Sequence, residues 1–297
     1  IVDADTNPVT ACRIIGVSGL QTRLEVAVHR GLTPLAGRIA ELEMMQAHCA
    51  RACAGGGQVV LLIGEAGVGK SRLLHEFRER IGGLPLQVLQ ARCRAYGDAP
   101  YAPFTDILRD AVKVQPEASD APAKLLDRLR AIDPALERFA ALYLHLLSIP
   151  SEPHPLPRHL RGEHLRESVT EALAEILVAL TCTKPTVFLL EDWPWADQGP
   201  TETLLRLLEV VSALPMMILI ASRPEGVASL AALPAATRIH LTPLDFESSK
   251  GIINSVLEAE RPSDSLMRRI YERSGGNPFF IKKVCHTLLQ QALGARE

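Results

Sequence analysis

The chain has 297 residues, with 32 Lys and Arg against 34 Asp and Glu and a formal net charge of −2. That length buries one large core or two unequal ones. A near-neutral balance offers no basic field for a nucleic-acid backbone, and the longest apolar runs, 187–190 and 214–221, are far shorter than the ~20 residues of a membrane span, so neither partner is expected. Cys12, Cys49, Cys53, Cys93, Cys182 and Cys285 form no Cys-x-x-Cys pair and have no His at metal-ligand spacing, so they read as reduced thiols of a cytoplasmic protein. Cys49 and Cys53, one helical turn apart, suit either a metal or redox pair or plain helix packing. The sequence does not begin with Met, and its first thirty residues read as the tail of another segment, so a longer parent protein is expected.

In chain order, a helix is predicted over 37–54, with Ile39, Leu42, Met44 and Met45 at helical spacing, stopped by Gly55-Gly56-Gly57. The continuous apolar run 58–63 reads as a parallel strand covered on both faces. A glycine-rich turn follows, then a helix over 70–81 and a second strand over 86–91. The stretch 100–180 is helical, broken at Pro116, Pro122, Pro134 and the proline-rich 150–157, and reads as an insertion or lid of helices. Strands return at 186–190, 216–221 and, more weakly, 238–241, with a helix over 201–212 between the first two. From Pro243 onward the pattern is all helix, a small separate domain. Strands alternating with helices give an α/β class with a parallel sheet and helices on both faces.

The chemistry gathers where the first strand ends. Gly64, Glu65, Ala66, Gly67, Val68, Gly69, Lys70 and Ser71 match the P-loop pattern between a predicted strand and a predicted helix, with Arg72 next in line. Such a turn curls so that backbone N–H groups point inward, and the helix behind it adds its positive end, so a polyphosphate is held. Lys70 is then placed to reach the β- and γ-phosphates and the Ser71 hydroxyl to ligate Mg²⁺. An acidic partner follows the buried strand 187–190 as Glu191-Asp192, at the edge where open parallel sheets place their ligands. Without the P-loop, such a pair equally caps a helix or fills a solvated turn. Glu191 is assigned mainly to Mg²⁺ through water and Asp192 mainly to the attacking water, though the two roles could be exchanged. At the end of the next strand, Arg223, between Ser222 and Pro224, can touch the γ-phosphate or be a plain surface arginine.

These residues, with Leu32-Thr33-Pro34-Leu35-Ala36-Gly37-Arg38, Trp195-Ala196-Asp197 and Gly275-Gly276-Asn277-Pro278-Phe279-Phe280, resemble in order the nucleotide-binding domain of the AAA-like signal-transduction ATPases with numerous domains, the STAND class. The resemblance implies that Leu35, Gly37 and Arg38 flank adenine, that Arg223 senses phosphate, and that Pro278 packs near the base from a helical lid. Without it, Gly37-Arg38 is also a plain helix start and 275–278 a plain link between helices. Family members commonly carry a polar residue, often His, where this chain has Pro194, which stiffens the turn after the acidic pair. Residues 12–25 are similar to the connector behind a class III nucleotide cyclase domain. The expected organisation is a linker from a preceding domain over 1–31, with a cyclase as the candidate, an ATPase core over 32–242 with its helical insertion at about 100–180, and a helical lid over 243–297, truncated here. Helical repeats are expected beyond it.

The expected function is a slow, Mg²⁺-dependent ATPase that binds ATP or ADP, closes its lid, and passes the change to neighbouring domains or to self-association. The absence of a guanine-reading Asn-Lys-x-Asp motif favours adenine. A scaffold that binds nucleotide without useful hydrolysis is the second reading, supported by Pro194 and by the lack of an obvious arginine finger. A small-molecule kinase with a pocket built from Arg92, Arg94 and Arg109 is the third.

Overall fold

Continuous apolar strands need cover on both faces. The computed structural model, which describes residues 23–93, 100–193, 198–226, 236–257 and 262–294, provides it. Five strands, β1 (Gln58–Gly64), β2 (Gln87–Arg92), β3 (Thr186–Glu191), β4 (Met216–Ser222) and β5 (Thr237–Leu241), form a sheet in the order β2-β3-β4-β1-β5. Every pairing is parallel. Four of the predicted strands run one residue further at their C-terminal ends, to Gly64, Arg92, Glu191 and Ser222, so the residues with chemistry sit on the last rungs of the ladder.

The two faces are filled by alternate residues of the same strands. Leu61, Ile63, Phe188, Leu190, Ile218 and Ile220 share one core with helices α4 (Ala102–Val112), α5 (Ala121–Ile132), α6 (Ala140–Leu146), α7 (Gly162–Thr183) and α8 (Gln198–Val210). Val60, Leu62, Val187, Leu189, Met217 and Leu219 face the other way, onto α2 (Ile39–Cys53) and α3 (Lys70–Ile81). The stretch read as an insertion is therefore part of the main core. Ile107, Leu125, Tyr143 and Ile176 are buried in the same cluster as β3 and β4. Pro122 and Pro134 do not break helices but begin them, at positions whose N–H groups have no intrahelical partner. Of the apolar residues expected to define the inner face of α2, Leu42 and Met45 are buried, whereas Ile39 and Met44 are exposed. Cys49 is buried there, packed in the α2–α3 core, and burial, with Cys53 nearby adding to it, pushes its thiol up to about 12, while Cys53 itself is exposed. The described cysteines are all free thiols.

Helices α9 (Phe246–Val256), α10 (Asp264–Ser274) and α11 (Pro278–Gly294) bury a third cluster, built on Leu244, Ile252, Ile253, Met267, Ile270, Ile281 and Cys285. Ala36 packs against it, while its neighbour Leu35 packs against the α2–α3 core. The turn between α10 and α11 depends on Gly276, whose φ is +73° and whose carbonyl accepts from the Leu244 N–H at 2.9 Å. A Cβ there would lie 2.2 Å from the Leu244 carbonyl oxygen. Gly276→Ala is expected to destabilise the protein by about 2 kcal/mol or more, from the left-handed backbone and the clash together. Chemical denaturation of both proteins measures it.

The chain divides into two compact units, Ile1–Thr33 and Pro34–Glu297. All the elements above belong to the second. Of the first, the structure describes one helix, α1 (Arg23–Arg30), and most of the connector-like stretch 12–25 lies outside the described residues. Among the described residues, no helix is long and apolar enough to cross a membrane.

Candidate nucleotide site

Strand β1 delivers Gly64 to the C-terminal edge of the sheet, and α3 begins six residues later at Lys70, so the loop between them must turn sharply. Gly67 and Gly69 take φ of +81° and +108°, while Val68 is buried and anchors the turn from beneath. The Lys70 ammonium folds back over the loop, donating to the Gly64 carbonyl at 2.5 Å and the Glu65 carbonyl at 3.1 Å. Burial, with Arg223 adding to it, holds Lys70 below the usual lysine range, against the opposite pull of Asp192 and Glu65.

Strand β3 brings the acidic pair to the same edge, reaching across β4 to the loop. Glu191 is buried, and both of its carboxylate oxygens are engaged. Oε2 accepts from the Ser71 hydroxyl at 2.6 Å, and Oε1 accepts from Gln90 Nε2 at 2.7 Å and Arg92 Nη2 at 2.9 Å. Asp192 leaves the strand with φ of +55°, a conformation Asp tolerates better than most residues, and its side chain stays partly exposed. Arg92 Nε lies 3.4 Å from its Oδ2. Burial raises the Asp192 carboxyl above the ordinary range, and Glu191 adds to it, while Arg92, Lys70 and Arg223 counter the rise.

Arg223, beyond the end of β4, pairs loosely with Glu225 at 3.8 Å and is close enough to bias both Lys70 and Asp192. Arg72 pairs with Glu76 at 2.9 Å, one turn along α3. The structure therefore gathers Lys70, Ser71, Glu191, Asp192 and Arg223 at one edge. A serine hydroxyl beside a carboxylate is a hard-oxygen set of the kind Mg²⁺ accepts together with substrate phosphates, so these residues fit that ion.

The remaining predicted residues sit further out. Gly37 lies against Ser248 and Leu244 at the start of the C-terminal helices. The Arg38 guanidinium donates to Glu41 at 3.0 Å and to the Thr242 carbonyl just past β5, so its charge pins the start of α2 to the sheet. Pro278 opens α11 between two residues that contact the 64–70 loop. Asn277 Nδ2 donates to the Ala66 carbonyl at 3.0 Å, and the Phe279 N–H lies 3.3 Å from the Gly67 carbonyl. Trp193 is buried edge-on to Phe104, whereas Pro194, Trp195, Ala196 and Asp197 lie outside the described residues.

Gln90 was not expected at the site, and neither Arg92, read as a kinase-pocket arginine, nor Asn277, within the 275–280 stretch, was expected in the contacts it makes. Gln90 and Arg92 alternate along one face of β2, but only the pairing of β2 with β3, which sets Arg92 opposite Glu191, gives that face a meaning. Of the arginines of the kinase reading, the two described ones do not share a pocket wall. Arg92 serves the carboxylates, Arg109 pairs on the surface with Asp106, and Arg94 lies outside the described residues.

The profile of the AAA ATPase domain matches residues 34–220. The chain belongs to that family. This AAA domain is also 29% identical over 265 residues to an uncharacterised protein of Rhizobium meliloti (strain 1021), covering 86% of this chain and 25% of that protein. The chain thus spans about a quarter of the curated relative it matches. Similar solved structures include a Walker-type ATPase of Pyrococcus abyssi, at 16% identity and a TM-score of 0.48 over 87% of this chain and 69% of the other. A STAND protein with a tetratricopeptide-repeat sensor from Pyrococcus horikoshii aligns at 13% identity and a TM-score of 0.45, over 82% and 28%.

Proposed function

We propose that this AAA domain binds Mg-ATP or Mg-ADP at the 64–72 loop, hydrolyses ATP slowly, and serves as a STAND-type switch in a larger cytoplasmic regulator. The observation that carries this reading is the 2.6 Å hydrogen bond from Ser71 to Glu191, which joins the phosphate loop to the acidic strand across the intervening β4. In that role Lys70 exchanges the Gly64 and Glu65 carbonyls for phosphate oxygens, and Ser71 and Glu191 hold the metal. Bound Mg²⁺ supplies charge neutralisation along the phosphates. Asp192, raised by burial yet still reached by solvent, orients or deprotonates water, and Arg223 meets the γ-phosphate. Leu35, Gly37 and Arg38 flank the adenine with Pro278. The helices from Pro243 on act as the lid over the 32–242 core, and residues 1–31 lead from a neighbouring domain, with a cyclase as the candidate and self-association as an output.

One observation favours the scaffold reading in its place: Arg92 pairs with Glu191 and lies against Asp192, so it neutralises the carboxylates that would work on water. A low rate follows from the same contact. Equilibrium titration with ATP, ADP and GTP in Mg²⁺ tests the site itself. Binding of both adenine nucleotides, with GTP at least about tenfold weaker, is expected, and no binding of any of the three would remove the proposal.

A further inference from the structure

A loop that cradles phosphate must aim its N–H groups inward, which leaves some of its carbonyl groups facing outward. Those of Ala66 and Gly67 are both taken up by the start of α11, some two hundred residues later in the chain. The contact is close: a Cβ on Gly67 would lie 2.8 Å from the Phe279 Cβ and 2.9 Å from Asn277 Oδ1. Asn277 works in two directions at once. As the cap of α11 its Oδ1 accepts from the Phe279 N–H at 3.0 Å, while its Nδ2 donates to the Ala66 carbonyl at 3.0 Å. The orientation of the amide follows from its partners, since an N–H needs an acceptor and a carbonyl needs a donor. Ser, Thr or Asp would cap the helix as well as Asn does. Only a side chain that both accepts and donates across this gap also holds the loop.

We propose that Asn277 is a positioning residue for phosphate binding, whose side-chain amide fixes the Ala66 carbonyl on the outer side of the loop, beside the Gly67 carbonyl that takes the Phe279 N–H, so that the inner N–H groups stay aimed at the nucleotide. The inference rests on the nucleotide-site reading above and goes beyond it by assigning the residue that couples the C-terminal helices to phosphate affinity. Coupling of this kind is reciprocal. If docking of α11 steadies the loop, bound nucleotide must steady α11 by the same factor.

The test uses Asn277→Ser, which keeps the cap and lacks the reach to Ala66, with Asn277→Asp as a second cap-preserving variant and Lys70→Ala as the reference for a damaged site. Thermal unfolding without nucleotide is expected to be nearly unchanged in Asn277→Ser, whereas its Kd for Mg-ATP rises about three- to tenfold, the worth of one net hydrogen bond. Hydrogen exchange gives the reciprocal arm. Mg-ATP slows exchange across 277–281 in the wild type, and slows it less in Asn277→Ser. A folded Asn277→Ser protein with wild-type Kd and wild-type ATP protection overturns the inference and leaves the nucleotide site standing. An equal loss of unfolding temperature in both cap-preserving variants, with Kd unchanged, would reduce the Asn277–Ala66 hydrogen bond to a structural tie and overturn the inference. Failure of the wild type to bind Mg-ATP any better than Lys70→Ala removes the site reading and this inference with it.

Discussion

Lys70→Ala is expected to weaken Mg-ATP binding roughly ten- to a hundredfold, or about 1.5 to 3 kcal/mol, while the protein stays folded. The ammonium is the single side-chain cation within 64–71, and it is already held over the loop by the Gly64 and Glu65 carbonyls. Those carbonyls stay satisfied by solvent at the sheet edge once the lysine is gone. Burial disfavours its charge in the folded state, so removing it relieves a desolvation penalty rather than breaking a stabilising ion pair. The loss belongs to phosphate contacts and should therefore be larger for ATP than for ADP. Calorimetry with both nucleotides reads it. Unchanged ATP affinity in a folded variant would place the phosphates elsewhere.

Asp192→Asn should abolish hydrolysis and leave Mg-ATP binding within a fewfold of wild type. Asn tolerates the +55° φ of this position as Asp does, so the backbone survives the change. What is lost is a carboxylate able to take or orient a proton of water. Because the Asp192 carboxyl is raised above the ordinary range, mainly by burial, the wild-type rate should begin to fall on acidification at a higher pH than a free carboxylate would give. Glu191→Gln should behave differently. Its Oε2 takes the Ser71 hydroxyl and its Oε1 is shared by Gln90 and Arg92, so an amide disturbs the Ser71 hydroxyl and cancels the ion pair to Arg92. Both turnover and the Mg²⁺ dependence of binding are then expected to drop. Phosphate release at saturating ATP, with Lys70→Ala as the blank, separates the two variants. Equal release from wild type and blank would leave the domain a nucleotide-dependent scaffold, held in check by Arg92.

The local signals in this chain were strong where a short segment is constrained by its own covalent neighbours. Gly67 and Gly69, flanked by an apolar run and an amphipathic helix, specify a sharp strand-to-helix turn whatever surrounds them. The predicted helix over 70–81 has the observed bounds. The strands were legible for a related reason: a strand buried on both faces is apolar at every position, and runs such as 58–63 and 216–221 show that without a partner in view. The helices between β2 and β3 were legible as helices but not as core. Their apolar faces are compatible with a lid or a layer of the sheet, and only packing against Phe188 and Ile218 decides between them.

What the sequence determined by itself is therefore the glycine-rich turn between a strand and a helix, the acidic pair after a buried strand, and the parallel α/β class that puts both on one edge. What tertiary structure alone decided is which distant residues complete that edge. Arg92 entered the sequence reading only as a pocket arginine of the kinase alternative, and it meets Glu191 because β2 lies beside β3 in register. Asn277 lay in a glycine-rich stretch that reads equally as a link between helices, and it meets Ala66 because α11 starts against the loop. A hydrogen bond between residues two hundred apart leaves no periodicity or spacing in the chain. It exists only once the burial of apolar faces has fixed where each element lies.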